Sequence, residues 1–119
     1  MKWGHYYEEL PKDQLLFWVM QCILRPYNSP LDRWVKEIFV RAGGFGGDPG
    51  WYMEHRLLSD GTDAYQIWAD PDISGIEPAE VTYSQDAVRQ ALKKSLIAFA
   101  EAYPERSNEV AEVLRRYCQ

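Results

Sequence analysis

The sequence predicts an α+β fold: one domain spanning residues 1–119, with helices packed on a small antiparallel sheet in the order α-α-β-β-(β)-α-α. Three observations lead there. Apolar residues recur at helical spacing towards both ends of the chain, the middle alternates at period two, and the alternating segments are joined by turn residues. That order of elements belongs to helices segregated on an antiparallel sheet. A chain of 119 residues, 46% hydrophobic and 26% charged, buries a cooperative core without disulfides or metal.

Each element has a local reason. Leu15, Leu16, Val19, Cys22 and Ile23 set a first helix over residues 12–24, and Phe17, Trp18, Met20 and Leu24 make it apolar nearly all round. Arg25-Pro26 ends it, because a residue before proline is pushed out of the helical region. Ser29 then reads as a helix cap, Pro30 as the first helical residue and Asp32 as a carboxylate at the positive helix end. Leu31, Trp34, Val35, Ile38, Phe39 and Ala42 form the apolar face of this second helix, and Gly43 stands where a left-handed cap is expected. Residues 43–50 hold five glycines and read as a loop.

Residues 51–58 read as a strand with Trp51, Met53, His55 and Leu57 on one face, and Tyr52, Glu54, Arg56 and Leu58 on the other. Turn residues 59–63 lead to a return strand over 64–69. A loop over 70–78 precedes a short third strand over 79–83. Ser84 caps a long helix carrying Val88, Ala91, Leu92, Ser95, Leu96, Phe99, Ala102 and Tyr103 on one side, and Pro104 breaks it. A last helix over 105–117 presents Val110, Val113, Leu114 and Tyr117. Trp18, Trp34, Trp51 and Trp68 are assigned to the core. Tyr52 and Tyr65 are assigned to the opposite face, where tyrosines commonly make contacts with partners.

Charge is unevenly placed. The net charge is −5, but residues 48–86 alone carry −8 and the remainder +3. Acidity on this scale disfavours contact with a nucleic-acid backbone, which is gripped by Lys and Arg. It suits a basic partner, because complementary charge speeds encounter and rejects wrong partners. Asp60, Asp63, Asp70, Asp72, Glu77 and Glu80, with Tyr52 and Tyr65 as aromatic anchors, are the residues this reading assigns to binding.

Other chemistry is poorly supplied. The segment from Asp70 opens like a calcium loop, with Asp72, Ser74 and Gly75 in place, but Val81 stands where the bidentate Glu is required. A further reading is an enzyme, a metal-dependent hydrolase using the Asp70/Asp72/Glu77 carboxylates. The glycine loop lacks the Gly-Lys-Ser/Thr ending that holds phosphates. His5 and His55 are the two histidines, and Cys22 and Cys118 the two cysteines, too few for a zinc cluster or a disulfide framework. No nucleophile–base constellation is visible, so no catalysis and no cofactor are expected. The longest apolar run, residues 15–20, is far short of a membrane span or a secretory signal. Two free thiols suit a reducing, cytoplasmic setting.

Two stretches carry a family resemblance. One is Gly43-Gly44-Phe45-Gly46-Gly47-Asp48 leading into an aromatic strand. The other is Val81-Thr82-Tyr83-Ser84, followed by an amphipathic helix ending Ala102-Tyr103-Pro104-Glu105 and a short charged helix. Residues 29–117 are similar to bacterial immunity proteins of contact-dependent growth inhibition systems, of the type directed against ribonuclease toxins. The resemblance implies a small cytoplasmic protein without catalytic activity, which binds the toxin's C-terminal domain and blocks its active site. The alternative from the residues alone is a general acidic interaction or adaptor module.

Overall fold

The structure is a computed structural model that describes residues 2–5 and 11–118. Helix α1 runs over Pro11–Ile23 and α2 over Leu31–Ile38. Four strands follow, β1 (Gly44–Gly47), β2 (Trp51–Leu57), β3 (Asp63–Ala69) and β4 (Glu80–Ser84), with the single-turn helix α3 (Pro71–Ser74) between the last two. Helix α4 (Gln85–Ala102), a 3-10 turn at Pro104–Arg106 and α5 (Ser107–Tyr117) follow. The strands form an antiparallel meander in the order β1-β2-β3-β4. The α+β class and the placing of helices on an antiparallel sheet match the sequence-based expectation.

The sheet is buried on one side. Trp51, Met53 and His55 of β2 alternate inward, opposite Ala69, Ile67 and Tyr65 of β3. Over them lie α1 and α4, which contribute Leu15, Leu16, Val19, Ile23, Val88, Leu92, Leu96 and Phe99 to one continuous core. Three tyrosine hydroxyls bind the layers together. Tyr65 donates to the carbonyl of Ile38 at 2.8 Å, Tyr83 to that of Lys12 at 2.8 Å, and Tyr117 to Asp32 Oδ1 at 2.9 Å. Burial raises the Tyr83 phenol to about 12, so it remains a donor at any physiological pH.

Three sequence-based expectations change. Residues 43–50 are not all loop, since Gly44–Gly47 form edge strand β1 paired with β2. The Tyr52 ring lies over this strand, and a Cβ at Gly44 would overlap the Tyr52 hydroxyl. The glycines are therefore what lets β1 pair beneath that ring. Second, α2 stops at Ile38, and the left-handed residue is Ala42, at φ 58°, not Gly43. Third, Ser29 does not cap α2. Leu31 N–H instead donates to Glu109 Oε2 of α5 at 2.7 Å, while Ser84 does cap α4, accepting from Ala87 N–H at 3.1 Å.

Glu109 is the hub of this corner. Its other oxygen takes Arg106 Nε at 2.6 Å, and Arg106 Nη1 reaches the Pro26 carbonyl at 2.8 Å. Burial disfavours the charged carboxylate, but the Arg106 and Leu31 hydrogen bonds outweigh burial and hold the carboxyl below its ordinary value. A depressed carboxyl contributes stability above its unfolded value, about 4.3, and loses it as pH falls further. Glu109→Gln keeps an acceptor for Leu31 but not the charge facing Arg106. It is expected to cost about 1–2 kcal/mol in urea denaturation at neutral pH, with the deficit shrinking below about pH 4. An equal deficit at pH 3 and pH 7, on the order of the neutral value, would show that the charge is irrelevant.

Candidate functional site

No described helix covers the outer face of the sheet. The register sets three cross-strand rows there: Tyr52, Trp68 and Glu80; then Glu54, Gln66 and Thr82; then Arg56, Ala64 and Ser84. Side chains directly opposite one another in such rows are neighbours. Tyr52 and Trp68 thus lie side by side at 43% and 39% exposure, with Glu80 beyond Trp68. Two large aromatics on an open face are the kind of feature that marks a contact surface. Glu54 is in the next row, and Arg56 Nη2 lies 3.6 Å from its carboxylate.

The residues assigned to binding from sequence do not gather in one place. Asp70, Asp72, Glu77 and Glu80 lie at the end where β3 leaves the sheet and β4 enters it. Asp60 and Asp63 lie at the β2–β3 hairpin, the opposite end. The length of β3, roughly 20 Å, separates the two groups. Asp60 is exposed but folds its own turn. It accepts from Thr62 Oγ1 at 2.6 Å and Thr62 N–H at 3.0 Å, which lowers its carboxyl from the ordinary value. Asp70 caps α3 by accepting from Asp72 N–H at 2.9 Å, and Gly75 closes that turn at φ 68°. The sixth position of the calcium-like loop is thus a helix stop. Among the described residues no three His, Cys, Asp or Glu side chains converge as a metal site would need.

Tyr65 is a correction. It is 1% exposed and its ring meets His55 edge-on at 5.3 Å, so it is a core residue and not a surface anchor. Trp68, assigned to the core from sequence, takes the outward place. Both faces of β3 carry an aromatic, so the aromatics alone do not tell inside from outside. Gln66 shares its face with Trp68, and Ile67 shares its face with Tyr65. That polarity difference is the sequence signal for the true orientation.

His55 and Asp63 form a dyad beside Phe39, Arg41 and Gln85. The histidine side chain is 4% exposed. Ala42 N–H donates to its Nδ1 at 2.8 Å, so the ring proton sits on Nε2, which donates to Asp63 Oδ1 at 2.7 Å. Both ring nitrogens are committed, and neither is free to act as a base. The dyad ties the β2–β3 hairpin to the strained residue after α2. Cys22 is buried, which raises its thiol above the ordinary value despite Arg25 at 3.7 Å. A thiol so placed is a poor nucleophile.

No helix among the described residues is long and apolar enough to cross a membrane. Comparison with known proteins returned no matching family model, no matching curated protein and no matching solved structure.

The orientation of β3 is directly measurable. Tyr65→Ala is expected to cost about 3–5 kcal/mol, as for a buried aromatic. Trp68→Ala on the open face should cost less than about 1.5 kcal/mol. Chemical denaturation of the two variants would give the reverse order if Trp68 were the inward residue.

Proposed function

We propose that this chain is a non-catalytic binding protein that neutralises a basic protein partner through the open face of its sheet. In the more specific form, the partner is the ribonuclease domain of a bacterial toxin and the chain is its cytoplasmic immunity protein. The observation that carries the reading is the uncovered row Tyr52–Trp68–Glu80, with Glu54 beside it. Asp72 and Glu77 add negative charge at the end of the sheet nearest this row, where Asp70 is engaged as the cap of α3. A nuclease that holds a phosphate backbone needs a basic cleft. Carboxylates on a flat aromatic surface can fill such a cleft in place of the phosphates. Aromatics at the centre of an interface supply most of its binding energy, while the surrounding charges supply rate and selectivity. Asp60, held in its own turn, and Asp63, held by His55, are outside this surface.

The test uses the product of the gene directly upstream, where a toxin of this kind would be encoded. Its C-terminal domain should cleave RNA and be silenced by one equivalent of this protein. Trp68→Ala should weaken binding at least about tenfold. Asp72→Lys and Glu77→Lys together should weaken it further and flatten its salt dependence, measured by calorimetry over a range of ionic strength. Undiminished inhibition by both variants would overturn the proposed surface. An upstream product with no nuclease activity and no binding would overturn the proposed partner.

A further inference from the structure

Strand β1 is an open edge. It pairs with β2 on one side, and no described strand pairs with the other. His55 N–H donates to the Gly43 carbonyl at 2.8 Å, which fixes the alternation of the ladder. Gly43, Phe45 and Gly47 bond to β2, so the N–H and C=O of Gly44 and Gly46 point away from the sheet. Both residues are exposed, and these groups have no partner among the described residues. Natural edges are commonly blunted by charge, proline or a bulge. Within Gly44–Gly47 there is no charge and no proline.

The two sides of this edge differ. On the inner side, half-buried Phe45 joins Trp34, Arg33 and Glu37 of α2 around a recess. On the outer side, the Tyr52 ring lies over Gly44 and Gly46, and Glu54 stands opposite Gly44.

We propose that β1 accepts an extended segment of the protein partner as a fifth strand, and that this segment alternates basic and apolar side chains. Residues opposite Gly44 and Gly46 would form the hydrogen-bonded pairs, and their side chains would share the outer face with Tyr52 and Glu54. Arginine suits those places, because its guanidinium stacks on an aromatic ring and pairs with a carboxylate. The residue opposite Phe45 would fall in the non-hydrogen-bonded pair, where side chains approach most closely. An apolar side chain there enters the Trp34/Phe45 recess. Main-chain bonding gives the affinity and the alternating side chains give the selection. The inference deepens the proposed function, since the same basic partner would span the open face and its edge.

The probe is a short synthetic peptide alternating arginine and leucine, with a second version N-methylated on the arginine amides, which would face β1. Amide hydrogen exchange is read at Gly44 and Gly46 in the full-length protein. The peptide should slow exchange at both positions at least about tenfold, and the N-methylated version should not bind. Phe45→Lys, which puts a charge in the recess, should abolish peptide binding. Should that variant fail to fold, the exchange rates in the unaltered protein remain decisive. No binding, binding without protection of the two amides, or equal binding of the N-methylated peptide would overturn the inference. Protection already present without peptide and rising with protein concentration would also overturn it, by showing that a second copy occupies the edge. The peptide should still bind Trp68→Ala, which separates the edge from the face. A nuclease domain that binds while leaving both amides unprotected would overturn the edge alone. Peptide protection with no nuclease binding would overturn the partner reading alone.

Discussion

The structure rests on burying one face of a four-stranded sheet and leaving the other open. Because side chains alternate along a strand, this choice sorts residues 51–56 of β2 and 65–69 of β3 at once, whereas Leu57, expected on the inward face, lies exposed at the hairpin end. Trp51, Met53, His55, Tyr65, Ile67 and Ala69 go under the helices. Tyr52, Glu54, Gln66, Trp68 and Glu80 are left outside. A slip of one residue in β3 would put Gln66 and Trp68 into the core and expose Ile67. The packing of α1 and α4 thus holds the register, and the register creates the candidate surface.

The helical layer is held on by polar contacts at its margins. The hydroxyls of Tyr65 and Tyr83 reach backbone carbonyls at the end of α2 and in the first turn of α1. Arg106 and Glu109 clip the α1–α2 connection to α5 and supply the cap that α2 lacks in its own sequence. Arg106 also stacks its guanidinium 5.4 Å from the Phe99 ring centre, so the clip is seated on the core. These bonds join segments far apart in the chain. They fix how the helices sit over the sheet, which apolar contact alone leaves loosely specified.

Charge follows the same division. The net negative charge lies in residues 48–86, where nine acids face one arginine, while α4 and α5 together hold five basic residues against four acids. Several acids are nevertheless absorbed by the fold. Asp60 builds its own turn, Asp63 meets His55 and Asp70 caps α3. Sequence counting treats these as equal members of one patch. Geometry splits them, because a carboxylate that already accepts backbone or side-chain hydrogens is a weaker attraction for a partner. The glycines of β1 show the same point from the other side. Their composition suggests a loop, yet their lack of side chains is what admits the Tyr52 ring over the strand.

Much of the architecture was legible in local pattern. Helical periodicity located α1, α2, α4 and α5, Ser84 and Pro104 marked the limits of α4, alternation located β2, and the turn and loop residues around them placed β3 and β4. These signals are short-range, set by 3.6- and 2-residue periods and by capping chemistry. The strand β1, the Glu109 cap, the inward turn of Tyr65 and the outward turn of Trp68 were decided by the tertiary structure. Each depends on a partner distant in sequence: β2 across from the glycines, α5 beneath α2, and the helices above β3. The sequence determined which residues could form helices and strands, because that is settled among near neighbours. Which aromatic faced the core and which faced outward was settled only when α1 and α4 closed over one side of the sheet.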